Sequence, residues 1–278
     1  MVMVDWRVVS FVLFSLCLYL LLSSSSCGSP PLHDDVREET WRYPERASES
    51  DVDTIYSQCG SLIPPKAGWW PQQRPEGRKR GQRLPLIPLG SREQLGCLAE
   101  LYELKTGAEL GVQQGLFSNE TLSRWPSCEK YILVDVWKHQ ESYDDGANVE
   151  DSDQEARFEE TKRNLERYAH ITEFLRMYTT EAAKLVPDDS LDFIYVDARH
   201  DYCGVREDLR TWWPKLRMGG IFAGHDYLSG SEAHELGQSW RQCMDGSEGS
   251  GAVKGAVNEF AFANNLQVLY PSWYLQKL

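Results

Sequence analysis

Two acidic residues and two histidines follow directly on two apolar runs of this sequence. Asp197 and His200 come after one run, and His225 and Asp226 come after the other. Carboxylate oxygens and imidazole nitrogens suit a divalent cation such as Mg²⁺ or Mn²⁺. The sequence therefore predicts a metal site with the ligands Asp197, His225 and Asp226. A cation there would lower the pKa of a substrate hydroxyl, and His200 is the candidate base that takes its proton. Taken alone, each of these residues is also consistent with a polar loop side chain.

A glycine-lined turn and another acidic residue predict a second binding site. Gly111 and Gly115 follow an apolar run, and glycines let the backbone approach a ligand closely at the start of a helix. Asp135 ends the next run, 24 residues after Gly111, where a carboxylate can accept hydrogen bonds from two ribose hydroxyls. Gln113 replaces the middle glycine of the dinucleotide-binding pattern, which argues against a dinucleotide. Trp137 is placed either to cover an adenine or to lie in the core. A tight turn and a loop-capping carboxylate are the plain alternatives.

From Ser91 onward, the sequence alternates between strand and helix patterns. Ser91 and Gln94 form a capping-box pattern, which predicts a helix start. The predicted strands are 107–111, 131–135, 172–177, 191–197, 220–224 and 266–270, with 273–278 as a final strand. The predicted helices are 116–125, 153–170, 180–185, 202–216 and 252–264. This alternation predicts an α/β fold with a doubly wound, mostly parallel, Rossmann-like sheet, which binds ligands at the carboxyl ends of its strands.

The N-terminal part of the chain differs in composition from the rest. Residues 8–22 form an uninterrupted apolar run, followed by serines and Cys27. Such a run predicts that residues 1–27 are a secretory signal peptide, or an uncleaved signal anchor in the membrane. Residues 28–90 are rich in Pro, Gly, Ser and charge, which predicts an irregular linker before a folded domain at 91–278. The weak charge bias places that domain across the membrane, so we expect a luminal, secreted or single-pass membrane-anchored protein of the secretory pathway.

Composition narrows the classes of partner. The formal net charge of −13 repels nucleic-acid phosphates, so we expect no nucleic-acid substrate. None of the seven cysteines is spaced as C-x-x-C, which argues against a structural zinc site. The six cysteines beyond the apolar run could form disulfides in an oxidising compartment, with their connectivity open. No pattern indicates an oligomeric state.

Four stretches resemble the class I S-adenosylmethionine-dependent methyltransferases. They are GAELGVQQGLFS, YILVDVW, TTEAAKLVPDDSLDFIYVDARHDYCGVREDL and LRMGGIFAGHDY. The resemblance covers about residues 95–278. It is closest to methyltransferase family 24 and the related metal-dependent sugar and macrolide O-methyltransferases. It implies in-line transfer of a methyl group from S-adenosylmethionine to an acceptor oxygen.

The resemblance also implies roles for individual residues. The implied donor-binding residues are Glu109, Gly111 and Gly115 around the methionine moiety, Asp135 at the ribose, and Thr180 and Glu181 along the adenine. In the metal-dependent relatives, Asp197 and the pair His225-Asp226 would hold the cation, and His200 would be the base. His225 departs from those relatives, which usually carry an acidic residue at this position.

Two other function classes stay open. A nucleotide-dependent oxidoreductase on a Rossmann sheet would also use Asp135, although the missing middle glycine and the strand-end histidines argue against it. A noncatalytic luminal binding domain could retain the same fold. For a methyltransferase, residues 140–153 and 229–251 are expected to shape the acceptor pocket. A luminal location favours a small-molecule or saccharide acceptor.

Overall fold

The computed structural model describes residues 89–249, 251–269 and 273–277. The predicted leader at 1–27 and the predicted linker up to residue 88 lie outside the described residues. Within the described ranges, no helix has both the length and the apolar character that spanning a membrane requires. The described residues form an α/β domain.

The described strands form one sheet. They are β1 (Thr106–Leu110), β2 (Lys130–Asp135), β3 (Thr172–Arg176), β4 (Leu191–Val196), β5 (Leu216–Gly224) and β6 (Trp273–Gln276). Their order across the sheet is β3-β2-β1-β4-β5-β6. β1 to β5 run parallel, and β6 pairs antiparallel with β5. The predicted mostly parallel, doubly wound sheet is therefore confirmed. Its order reverses between β1 and β4, where such sheets open a crevice for ligands.

Helices cover both faces of this sheet. They are α1 (Leu95–Leu101), α2 (Leu116–Ser123), α3 (Asp151–Asn164), α4 (Thr179–Ala182), α5 (Tyr202–Trp212), α6 (Gly230–Glu235) and α7 (Ala252–Ala263). Before α1, the side-chain oxygen of Gln94 accepts hydrogen bonds from the amides of Gly90 and Ser91. This confirms the predicted capping of the first helical turn.

Two apolar clusters, one on each face of the sheet, hold the layers together. Alternate side chains of the strands point to opposite faces. Tyr131 and Leu133 of β2 therefore belong to the cluster under α1 and α2. Ile132 and Val134 of the same strand belong to the cluster under α4, α5 and α7. The buried sheet between two helical layers gives the strand ends a rigid support.

Two details differ from the predictions, and a third resolves a point that the sequence left open. Residues 266–268 form no strand; Leu269 makes an isolated antiparallel bridge to Tyr274, and the edge of the sheet is β6 instead. The short helix α6 was not predicted. Cys203 and Cys243 form a disulfide, which selects one pairing among those that the sequence left open.

Candidate functional site

The pairing register of the sheet aligns the ends of four strands. Leu110 pairs with Val134 on one side and with Val196 on the other, and Val196 pairs in turn with Gly224. The residues that follow these four are Gly111, Asp135, Asp197 and His225. They begin neighbouring loops around a cavity of about 650 Å³, a size typical of small-molecule sites.

The turn after β1 requires glycine because two backbone segments approach each other there. Gly111 has a φ of +86°, and a Cβ atom at this position would lie 2.0 Å from the carbonyl oxygen of Asp197. Gly115 has a φ of +71° and caps the start of α2. Both conformations favour glycine. The close approach at Gly111 is between two segments of the protein. Gly111 lines the cavity, and the approach of its backbone to a ligand stays a prediction.

Asp135 is bonded directly to the glycine turn. Its Oδ2 accepts hydrogen bonds from the amides of Val112 and Gln113, both at 2.9 Å. Its Oδ1 accepts one from the amide of Trp137 at 2.8 Å. The carboxylate is half-buried and lines the cavity. The structure thus brings the turn at 111–115 and Asp135 together, and Asp135 also fixes the shape of that turn.

Glu109 lies beneath the turn, on β1, and is buried. Its carboxyl accepts hydrogen bonds from Ser118 Oγ at 2.6 Å and from Tyr131 Oη at 3.2 Å. Burial raises the pKa of Glu109 to about 8, and these hydrogen bonds offset only part of that effect. Glu109 therefore holds a proton at neutral pH while facing the cavity.

Replacing Glu109 with glutamine should stabilise the fold above pH 5. The unfolded chain loses the Glu109 proton near the ordinary pKa of 4.5, whereas the folded protein keeps it up to about pH 8. The folded state therefore binds more protons over this interval, and the wild type loses stability as the pH rises through it. Urea unfolding measures the free energy of unfolding at pH 5 and at pH 8. The difference between Glu109→Gln and wild type should rise by about 1–3 kcal/mol in favour of the variant between the two pH values. The exposed variant Glu235→Gln should gain nothing, and a pH-independent difference for Glu109→Gln would contradict the shifted pKa.

Of the two residues predicted to lie along the adenine, one lines the cavity and the other does not. Thr180, in α4, lines the cavity together with Met177 and Tyr178. Glu181 points to solvent and is not among the cavity-lining residues. The structure therefore brings Thr180 but not Glu181 to the cavity, and a contact between Glu181 and the donor stays a prediction.

Trp137 lies in the core and does not line the cavity. Its ring is 1% exposed, and it packs against Phe158 and Phe174. Its indole N–H donates a hydrogen bond to the carbonyl of Gln113 at 2.7 Å. Of the two placements that the sequence left open for Trp137, the structure has the one in the core. Trp137 supports the glycine turn from below.

The three predicted metal ligands converge at the ends of β4 and β5. Asp197, His225 and Asp226 each present one ligand atom within 4.8 Å of the others. Asp226 has a φ of +48°, an uncommon conformation for a residue other than glycine and one that clusters at functional sites. The His225 carbonyl accepts a hydrogen bond from the indole of Trp273 at 3.0 Å, which ties this loop to β6.

His200 lies at the centre of an acidic cluster. Its Nε2 is 3.2 Å from Asp197 Oδ1 and 3.2 Å from Asp226 Oδ2. Its Nδ1 is 3.2 Å from Asp145 Oδ2. Burial alone disfavours the imidazolium, but the neighbouring Tyr143 and the three carboxylates together raise the pKa of His200 well above its ordinary value. Carboxylates contact both ring nitrogens of His200 and so fix the orientation of its ring.

Residues 108–227 match the family model Methyltransf_24, described as a methyltransferase domain. The matched stretch contains the glycine turn, Asp135, His200 and the convergent Asp197, His225 and Asp226. This part of the chain is therefore similar to a methyltransferase domain.

Individual proteins similar to this chain have low sequence identity to it. The uncharacterized protein y4gI of Sinorhizobium fredii is 28% identical over 105 residues, which make up 38% of this chain and 11% of that protein. The match thus spans about a tenth of that relative's length.

Solved structures give low similarity as well. A Staphylococcus aureus protein assigned as a caffeoyl-CoA O-methyltransferase has a TM-score of 0.48 and 14% identity, covering 69% of this chain and 86% of its own. The O-methyltransferase TomG of Streptomyces achromogenes, involved in tomaymycin synthesis and solved with S-adenosylmethionine, has a TM-score of 0.46 and 13% identity, covering 69% and 82%. Sequence identities and TM-scores this low do not identify a substrate for this chain.

Several residues of the cavity were not predicted from the sequence. Asp145 and Trp240 contact His200 from two different loops. Arg92, just before α1, lines the cavity with its Nη1 3.4 Å from Asp197 Oδ2. Asp208 of α5 also lines the cavity, and burial raises its pKa to about 7. Asp145 and Trp240 fall in the two segments expected to shape the acceptor pocket, but nothing in the sequence singled them out.

Proposed function

We propose that the protein is an S-adenosylmethionine-dependent methyltransferase that methylates a hydroxyl of a small-molecule or saccharide acceptor. The observation that carries this proposal is the placement of His200. Its Nε2 lies within 3.2 Å of carboxylates at the ends of β4 and β5, in the same cavity as the glycine turn and Asp135. A base and a donor-binding turn in one cavity are what transfer to a hydroxyl requires.

The donor side of the cavity lies around the glycine turn. S-adenosylmethionine, when bound, supplies an electrophilic methyl group on its sulfonium. Asp135 would accept hydrogen bonds from the ribose hydroxyls through oxygen lone pairs that its three amide partners leave free. Thr180 would lie along the adenine. Glu109 faces the methionine end, where ionisation of its carboxyl would balance the donor's ammonium group, and Arg92 offers a positive charge to the donor's carboxylate.

The acceptor side lies around His200. An acceptor hydroxyl must stand behind the methyl group, and it must lose its proton as the new bond forms. His200 would take that proton through Nε2 in its neutral form, so the raised pKa of His200 sets the pH above which it can act as the base. Alignment of the two reactants in one cavity supplies much of the lowering of the barrier, on the order of 7–11 kcal/mol at best.

We also propose that a divalent cation binds on the acceptor side and assists the transfer. The donor set of two carboxylates and one imidazole fits Mg²⁺ or Mn²⁺, with water completing the shell. The residues that would hold the ion are Asp197, His225 and Asp226, whose ligand atoms already converge. When bound, the ion would act as a Lewis acid on the acceptor hydroxyl.

A calorimetric titration with Mn²⁺ tests the cation site without an acceptor. We expect wild-type protein to bind the ion and Asp226→Asn to bind it at least about tenfold more weakly, because one charged ligand is lost. Asp144→Asn removes an exposed carboxylate outside the cluster and should bind as wild type does. If the wild type shows no binding, the cation is excluded from the proposal, while the base role of His200 is tested separately.

We also propose that the domain works in the secretory pathway. The Cys203–Cys243 disulfide supports this location, because disulfides persist in oxidising compartments. The apolar run at 8–22 would be the signal peptide or membrane anchor. Fractionation of cells that express the full chain tests the location, and a protein found in the cytosol would contradict it.

The function itself is tested with isotopically labelled S-adenosylmethionine and a metabolite extract, with and without a chelator. Transfer of label to a hydroxyl of a small molecule supports the proposal, and transfer to another atom type would overturn it. Calorimetry with S-adenosylhomocysteine and with NAD separates the remaining classes. NAD binding alone would favour the oxidoreductase, and binding of neither would favour a noncatalytic domain.

A further inference from the structure

We propose that Asp145 and Trp240 are positioning residues for His200, and that the Cys203–Cys243 disulfide holds Trp240 in place. The acceptor side of the cavity is then complete only when this disulfide is formed. The inference rests on the proposed function in taking His200 as the base.

Asp145 joins His200 to Trp240 through a single oxygen atom. Asp145 Oδ2 accepts a hydrogen bond from Trp240 Nε1 at 2.8 Å and lies 3.2 Å from His200 Nδ1. The indole ring of Trp240 stacks on the imidazole, with ring centres 4.5 Å apart and planes 24° apart. One ring nitrogen is thereby anchored, and the other faces the ends of β4 and β5. A carboxylate on the far nitrogen of a histidine fixes both its ring orientation and its tautomer.

The loop that carries Asp145 has its own internal supports. The amide of Ala147 donates to Asp145 Oδ1 at 2.7 Å. The side-chain amide of Asn148 donates to the carbonyls of Gln140 at 2.8 Å and of Tyr143 at 2.6 Å. Asp145 therefore meets His200 from a loop of fixed shape.

The loop that carries Trp240, residues 236–249, is attached differently. Trp240 packs in a small cluster with Ala233 and Ala252, separate from the two main cores. Cys243, three residues further on, is bonded to Cys203, which lies three residues after His200. The disulfide thus ties the loop covalently to the segment that carries the base. Covalent closure removes conformational freedom that so small an apolar cluster does little to restrain.

The donor side does not use these contacts. The hydrogen bonds of Asp135 described above run to residues 112, 113 and 137. Loss of the disulfide should therefore disturb the acceptor side and spare donor binding. A general loss of structure would weaken both.

The experiment compares wild type with Cys203→Ser/Cys243→Ser, Trp240→Phe and Asp145→Asn. Trp240→Phe keeps the aromatic ring and the disulfide but removes the N–H group, so it stays informative if the double variant does not fold. Arg241→Gln, an exposed change in the same loop, is the matched control. Three measurements are made on each: the dissociation constant of S-adenosylhomocysteine, the NMR signal of the His200 ring Nδ1–H, and kcat for labelled methyl transfer.

We expect the three variants to keep donor affinity within about twofold while kcat falls by about 10- to 100-fold, as a misplaced catalytic group predicts. The Nδ1–H signal should shift or broaden in each of them and stay unchanged in Arg241→Gln. Reduction of folded wild type, which adds two electrons and two protons to yield two thiols, should reproduce the double variant. Cys97 is also disulfide-bonded. The same reductant should not change the double variant further, which controls for reduction at Cys97.

An unchanged Nδ1–H signal and unchanged kcat in Trp240→Phe and the double variant would overturn the inference. The NMR signal needs no acceptor. If no methyl transfer is found for any protein, the proposed function fails while the positioning of His200 is still decided by the NMR signal.

Discussion

Replacing Asp135 with alanine is expected to weaken the binding of S-adenosylhomocysteine by about 10- to 100-fold. The change removes a charged acceptor for the ribose hydroxyls, and hydrogen bonds to charged groups contribute about 1.5–3 kcal/mol. It also removes the acceptor for the amides of Val112 and Gln113, which shape the glycine turn. Isothermal titration calorimetry at one pH and salt concentration measures the change.

Asp135→Asn serves as the matched control for this variant. Asparagine keeps one oxygen for the turn amides but loses the charge, so its affinity should lie between wild type and Asp135→Ala. Far-ultraviolet circular dichroism establishes that both variants are folded. A folded Asp135→Ala protein with wild-type affinity would remove Asp135 from the donor site.

The second large effect is expected for His200→Ala, which should lower kcat by about 10²–10⁴-fold, the usual contribution of a general base. Donor affinity should not change, because the glycine turn and Asp135 are intact. The assay is transfer of labelled methyl to the acceptor identified from the extract. His170→Ala removes an exposed histidine 30 residues before His200, and this variant should keep full turnover.

Two results would contradict the role given to His200. Equal turnover of His200→Ala and wild type would exclude it as the base. A parallel loss of donor affinity and turnover would instead mean that His200 supports the cavity as a whole. His200→Gln, which keeps a polar side chain among the carboxylates, separates loss of the base from loss of packing.

The strand order and the strand-end residues could be predicted because they follow from simple patterns. β2 and β4 are largely apolar runs, each of the strands β1 to β5 ends at or directly before a glycine or a polar residue, and parallel strands bring such ends to one edge. Gly111, Asp135, Asp197 and His225 therefore meet although up to 114 residues separate them in sequence. The strand predicted at 266–270 is not formed by residues 266–268, and this has a physical cause. That run is apolar enough for a strand, but Trp273–Gln276 pairs with β5 and occupies the edge.

The side chains that come from loops could not be predicted in the same way. Asp145 is one of many acidic residues between 141 and 153, and only the folded shape of its loop selects it. Trp240 is buried by residues outside its own segment, and the pairing of Cys203 with Cys243 depends on where α5 begins. For Trp137, a residue beside a strand end could point into the cavity or beneath it. Its burial against Phe158 and Phe174 decides the direction.

The indole of Trp273 that holds the His225 carbonyl has a consequence for biosynthesis. Trp273 is translated 48 residues after His225, a delay of roughly 2–10 s at typical rates of peptide synthesis. During that interval β5 has an unpaired edge, and the loop that begins at His225 lacks its hydrogen bond to Trp273. Cys203 and Cys243 are both translated before Trp273, so the covalent link between them does not depend on β6. We therefore expect the disulfide to be able to form while the edge of the sheet is still open.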